Sequence, residues 1–178
     1  MQVYKFGGAS IKNAQAVINA SNIIKSTNDK VIVVVSAMGK TTNALEGIWR
    51  SFTTDNCKNI DSKISNFFNY HSAIIKDLGL SNNKNLIKET TAIFNALNDL
   101  KNQQVNSNFD FDYARIVSYG EILSSLILSH YLGKIDIDNL WLYSRKLIKT
   151  DNSYKEAKVD WNKTNELISN EVKINNSV

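Results

Sequence analysis

The chain has 178 residues, 43% of them hydrophobic and 21% charged, values that suit one folded domain and exclude disorder as a default. A net charge of +4 and a pI near 9.0 favour anionic ligands. They do not argue for nucleic acid, because the lysines and arginines are scattered among acids with no aromatic interleaving.

A single cysteine, Cys57, leaves no intramolecular disulfide and no zinc-type cysteine spacing, so no metal site is expected. The opening Met1-Gln2-Val3-Tyr4-Lys5 lacks the apolar stretch of a secretory signal, and Val31 to Val35 is too short to cross a bilayer. A cytoplasmic protein without a membrane partner is expected.

Val3 to Phe6 reads as a short strand ended by Gly7-Gly8, with Ser10 as the N-cap of a first helix that ends near Ser26 to Asp29. Ala16, Val17, Ala20, Ile23 and Ile24 supply its buried face at helical spacing. The β-branched run Val31 to Val35 predicts a strand covered on both faces, parallel to the first through a right-handed crossover. After a loop from Ser36 to Thr42, a helix capped by Thr42 or Asn43 should bury Leu45, Ile48, Trp49 and Phe52.

Two further helices are predicted. One carries Ile60, Ile64, Phe67, Phe68, His71, Ile74, Ile75 and Leu78, with Gly79 as its cap; the other runs from Leu86 to Leu100. His71 shares the apolar stripe of the first and reads as a packed histidine. A polar loop from Gln103 to Asn108 precedes a loop-to-helix passage from Tyr113 to Leu132. Leu140 to Tyr143 predicts a third strand. A turn at Asp151-Asn152, an extended piece at Ala157 to Val159 and a helix from Trp161 to Val172 complete the order.

Four segments could carry chemistry. In Lys5-Phe6-Gly7-Gly8-Ala9-Ser10 a cation ends a strand, and two glycines let backbone amides approach a phosphate at a helix start. Taken alone, a tight turn with an exposed lysine explains it better. Ser36-Ala37-Met38-Gly39-Lys40-Thr41-Thr42-Asn43 places hydroxyls at the carboxyl end of a parallel strand, where open α/β sheets bind ligands. It is no P-loop, because Val34 stands where the Walker pattern needs glycine. In Gly120-Glu121-Ile122-Leu123-Ser124-Ser125 the acid and both serines share one helix face. Glu121 could pair with a ligand's amino group or merely favour the helix dipole. The stretch Trp141 to Asp151 holds Arg145, Lys146 and Lys149, which read as a solvated basic edge.

In this order the segments resemble the aspartate kinase family of the amino-acid kinase superfamily. Its opening Lys-Phe-Gly-Gly-Thr-Ser is met by Lys5 to Ser10, with Ala9 in place of threonine. Val-Ser-Ala and Thr-Asn are met by Val35-Ser36-Ala37 and Thr42-Asn43, and Gly-Glu with a following Ser by Gly120, Glu121 and Ser124. Later elements are met by Trp141, Arg145, Thr150-Asp151 and Ala157-Lys158-Val159-Asp160. Tyr143 departs from the family's aspartate, and the family's following Gln-Gly-Phe, Gly-rich segment and catalytic aspartate are not met.

The resemblance implies an α/β fold, three-layer α/β/α with a mainly parallel sheet. Residues 1–178 would be the N-terminal, aspartate-binding portion of a catalytic domain, without the nucleotide-binding half and the ACT domains, as in a partial or split gene product. It implies phosphoryl transfer from ATP with Mg2+ to the side-chain carboxylate of L-aspartate, the first step of lysine, threonine and methionine biosynthesis. Lys5 would stabilise the transferred group, and Gly7, Gly8 and Ser10 would meet the phosphates. Ser36, Thr42, Glu121 and Ser124 would hold aspartate. The 178 residues alone are expected to be inactive, and a homo-oligomer is expected. Another carboxylate or carbamate kinase, or a non-catalytic aspartate- or partner-binding subunit, remains the alternative.

Overall fold

The computed structural model describes residues 1–174. The chain divides into two units, Met1–Trp141 and Leu142–Val178. In the first, β1 (Gln2–Phe6) pairs in parallel with β2 (Val31–Val35), with Lys5 opposite Val34 and Phe6 opposite Val35. The crossover between them is α1 (Ala14–Lys25). Then follow α2 (Thr41–Thr53), α3 (Ile60–Asp77), α4 (Lys84–Asn98), α5 (Phe109–Val117) and α6 (Tyr119–Lys134). This is the parallel α/β arrangement the pattern predicts.

Strand alternation explains which way the sheet faces. Tyr4, Phe6, Val33 and Val35 pack against the hydrophobic core. Val3 and Val34 point the other way and stay 65% and 47% exposed. A run of valines therefore does not mean two covered faces among the described residues. The core itself is helical: Leu45 and Ile48 of α2, Ile64 of α3, Leu86 and Leu97 of α4, Ile116 of α5 and Ile127 of α6 are all fully buried.

Two predicted caps and two elements differ. Ser10 lies in a 3₁₀ turn (Gly8–Ile11), and Asn13 caps α1 by accepting from the amide of Ala16 at 2.9 Å. At α2 the cap position is Lys40, without a side-chain bond, because Thr42 and Asn43 already lie inside the helix. The passage Tyr113 to Leu132, read as loop leading into one helix, instead holds the end of α5 and most of α6; the cap of α5, Asn108, accepts from Asp110 and Phe111. Gly79 follows α3 with φ 65°, as a helix-ending glycine should.

Leu140 to Tyr143 forms no strand. No strand lies beside it among the described residues, and the alternating leucines stay exposed, Leu140 at 60% and Leu142 at 41%. Trp141 is half-buried instead, its indole N–H donating to Ser125 at 3.0 Å.

The second unit holds one helical turn, α7 (Ser144–Leu147), and α8 (Trp161–Ile174). An antiparallel bridge joins Thr150 to Val159, the extended piece that was expected. Inside the turn Asp151 accepts from the amides of Ser153 and Lys158, which lowers its pKa. Asp160 accepts from the amide of Lys163, and Thr164 accepts from that of Lys149. These motif residues are structural, closing a turn and starting a helix.

His71 is 2% exposed in α3. Its Nδ1 lies 2.8 Å from the carbonyl of Phe67 and its Nε2 3.4 Å from the hydroxyl of Thr41. A neutral ring satisfies both: Nδ1–H donates and Nε2 accepts. Burial lowers its pKa to about 4, against an upward pull from the Phe67 carbonyl.

Two predictions follow from these placements. Asn13→Ala should cost about 1 kcal/mol of stability, measured by urea unfolding, through loss of the α1 cap. For His71 the unfolded chain binds a proton below pH about 6.5, whereas the folded chain resists until about 4. Stability from this group is therefore unchanged above 6.5 and falls as pH drops through that window, by roughly 3 kcal/mol in all. Urea unfolding at pH 7 and pH 4.5 should show the loss, and His71→Leu should lose less over the same interval.

Candidate active site

The two parallel strands end side by side, so the loops that follow them meet. Ser36 N–H donates to the carbonyl of Phe6 at 3.0 Å, and Gly39 N–H to that of Gly8 at 2.9 Å. The glycine turn is closed by Ser10 N–H donating to Gly7. Gly8 has to be glycine: a β-carbon there would collide with the carbonyl oxygen of Ala37.

The start of α6 comes against the same loop. Glu121 Oε1 accepts from the amide of Ala37 at 3.3 Å, and Ser124 Oγ from that of Met38 at 2.9 Å. The Ser124 hydroxyl donates in turn to the carbonyl of Gly120 at 2.8 Å. This approach requires Gly120 to lack a side chain, because its β-carbon would sit 2.8 Å from that of Ala37 and 3.1 Å from Thr41 Cγ2. The structure thus brings together three of the four segments singled out from the sequence. The fourth, Trp141 to Asp151, straddles the boundary between the units, and within the second the Arg145 guanidinium lies 5.9 Å from the centre of the Tyr143 ring.

The candidate residues take different places. Lys5 is exposed at the strand end, on the open face of the sheet. Gly7 and Gly8 are half-buried, and Ser10 is exposed on the 3₁₀ turn. Ser36 and Thr42 are half-buried, and neither side chain makes a hydrogen bond among the described residues. Their hydroxyls are open to a ligand. Glu121 is exposed, with one carboxylate oxygen on the loop amide. Ser124 differs: it is fully buried and already bonded on both sides, so it shapes the loop.

Neighbours that sequence reading did not raise also line this region. Tyr113 donates its phenol hydrogen to Glu46 Oε1 at 2.7 Å and packs edge-on against Trp49, ring centres 5.3 Å apart. That hydrogen bond, burial and the charges of Glu46 and Glu121 together raise the Tyr113 pKa. Glu46 and Tyr113 are 67 residues apart, so no local pattern could have paired them.

The arrangement offers a cation, backbone amides beside small residues, two hydroxyls and a carboxylate, a set that can align an anion with an amino group. No group of three or more histidine, cysteine or acidic side chains positioned for a metal occurs among the described residues. No described helix is long and apolar enough to cross a membrane. A surface depression lined by Asn83, Ser129, His130 and Lys134 shares no residue with these loops.

Comparison with known proteins identifies the family. The model of the amino acid kinase family matches residues 1–175. Aspartokinase 2, chloroplastic, of Arabidopsis thaliana is 35% identical over 141 residues, which cover 75% of this chain and 24% of that protein. Lysine-sensitive aspartokinase 3 of Escherichia coli (strain K12) is 27% identical over 168 residues, covering 89% of this chain and 34% of the relative. The chain thus spans about a quarter to a third of the length of these relatives. The crystal structure of E. coli aspartokinase III with lysine and aspartate superimposes with a TM-score of 0.81 at 23% identity, over 98% of this chain and 38% of that one. The same enzyme with aspartate and ADP gives 0.81 at 22%, over 97% and 37%. The chain belongs to the amino acid kinase family, and the curated relatives it resembles within that family are aspartokinases.

Proposed function

We propose that the complete protein transfers the γ-phosphoryl group of ATP to the side-chain carboxylate of L-aspartate, and that residues 1–178 contribute the aspartate-facing loops. One observation carries the reading: the Gly7–Gly8 turn, the Ser36–Thr42 loop and the Glu121 end of α6 meet at the carboxyl end of a parallel strand pair. Two solved structures that share this fold were determined with aspartate, one of them also with ADP.

The nucleophile is a carboxylate already ionised at neutral pH, so no general base is required. The difficulty is bringing two anions together, which calls for cations and aligned N–H donors. Lys5 stabilises charge on the transferred phosphoryl group, and the amides of Gly7 and Gly8 and the hydroxyl of Ser10 meet the phosphates. Ser36 and Thr42 hold aspartate by their open hydroxyls, and the free oxygen of Glu121 receives its amino group. Ser124 acts behind them by fixing Met38. Mg2+ bound with ATP would supply further positive charge against the phosphates, beside the cation of Lys5. The protein works in the cytoplasm as a homo-oligomer, in the family's biosynthetic role towards lysine, threonine and methionine. The 178 residues alone turn over little or not at all.

An L-aspartate titration followed by two-dimensional amide NMR tests the binding half of this proposal. Saturable shifts at Ser36, Ala37 and Glu121 are expected, and they should be lost in Glu121→Gln; no shifts at high aspartate would count against an aspartate site in these loops. In the complete protein Lys5→Ala should lower kcat by at least about a hundredfold, the scale of one removed charge-stabilising donor, with the circular dichroism spectrum unchanged. Unaltered turnover would remove Lys5 from the mechanism.

A further inference from the structure

We infer that Tyr70 and His71, adjacent residues of α3, are positioning residues that clamp the two loops of the site to each other. The functional meaning of the clamp rests on the aspartate kinase reading; its geometry does not.

Tyr70 donates its phenol hydrogen to the carbonyl of Lys12, 58 residues away, just past the glycine turn. The same oxygen lies over Gly39: a β-carbon on that residue would come within 2.7 Å of it. One side chain therefore touches the end of the first loop and the middle of the second. His71 holds the second loop further along. Its Nδ1–H donates to Phe67 within α3, which fixes the ring and leaves Nε2 to accept from Thr41, the neighbour of Thr42. The two rings meet edge-on, with centres 4.9 Å apart and planes at 83°.

Successive helix residues point about 100° apart, so a neighbouring pair can reach two different segments. The contacts form a closed chain: Tyr70 to Lys12, Gly8 to Gly39, and Thr41 to His71. Neither Tyr70 nor His71 has a place among the ligand-facing groups. Their effect runs through the backbone that carries Gly8, Ser36 and Thr42.

Three substitutions separate positioning from mere packing. Tyr70→Phe removes only the bond to Lys12. His71→Asn keeps an N–H for Phe67 and loses the acceptor facing Thr41. His71→Gln places an amide oxygen near the Nε2 position and keeps that acceptor. Amide hydrogen exchange of the whole chain is the readout, with Gly39 and Thr41 reporting the loop and Leu126 and Leu128 reporting the core. Tyr70→Phe and His71→Asn should speed exchange at Gly39 and Thr41 by about tenfold, the effect of one hydrogen bond, with the core amides unchanged. His71→Gln should stay close to the unmodified chain.

Unchanged loop exchange in both Tyr70→Phe and His71→Asn would overturn the clamp. So would equal acceleration of loop and core in both histidine variants, which marks packing alone. Tyr70→Phe is a change at a partly exposed site and keeps the test open if a histidine variant fails to fold. An L-aspartate titration of the same proteins separates the two ideas. If the unmodified chain binds, the variants should weaken binding in the same order. If it does not, the aspartate reading falls while the exchange data still decide the clamp.

Discussion

The site depends on two backbone N–H groups that the loop after β2 cannot satisfy by itself. Ala37 and Met38 are buried, at 4% and 0% exposure. A buried amide without a partner costs about 1–3 kcal/mol. Glu121 and Ser124 supply the partners from 84 and 86 residues further along the chain. Much else follows from that requirement. The helix start has to come close, which demands the bare α-carbon of Gly120, and the loop has to turn toward β1, which demands the bare α-carbon of Gly8. Two segments distant in sequence are thereby held in one local geometry, and the open hydroxyls of Ser36 and Thr42 fall on the part of the loop so held.

The chemistry proposed for such a site suits its composition. Bringing a polyphosphate to a carboxylate needs fixed positive ends more than it needs proton transfer. The one deeply buried histidine is correspondingly poor at proton exchange near neutral pH, since burial holds it neutral down to about 4. Its ring serves as an oriented acceptor. Lys5 stands at the rim, exposed, where a cation keeps its hydration until a ligand arrives.

Elements with a strong local signal were legible in the sequence. The β-branched run of β2, the 3.6-residue stripes of α1 to α4 and the glycine after α3 all act over a few residues, so pattern and physics coincide. The caps were harder, because several polar residues compete at each helix start; Asn13 prevails over Ser10 where the chain first makes a 3₁₀ turn. The strand read at Leu140 to Tyr143 shows the limit of a short apolar run. Apolar and aromatic residues describe a strand only when a neighbouring strand takes up the hydrogen bonds, and none lies there among the described residues. The site was legible as a set of motifs but not as a division of labour. Nothing local distinguishes the hydroxyl of Ser124 from that of Thr42, or links Tyr70 to Lys12 and Tyr113 to Glu46.

Ser124 carries a lesson for how such motifs are interpreted. Its hydroxyl gives its one hydrogen to Gly120 and accepts from Met38, and no part of it reaches solvent. A residue in that position can recur beside a reactive centre without ever meeting a ligand. An alanine there would leave the buried amide of Met38 unanswered and shift the loop, so enzyme kinetics would register a damaged binding site where only its scaffold had moved. Sensitivity to substitution and contact with substrate are separate properties, and a short signature such as Gly-Glu-x-x-Ser can mix residues of both kinds within one helical turn.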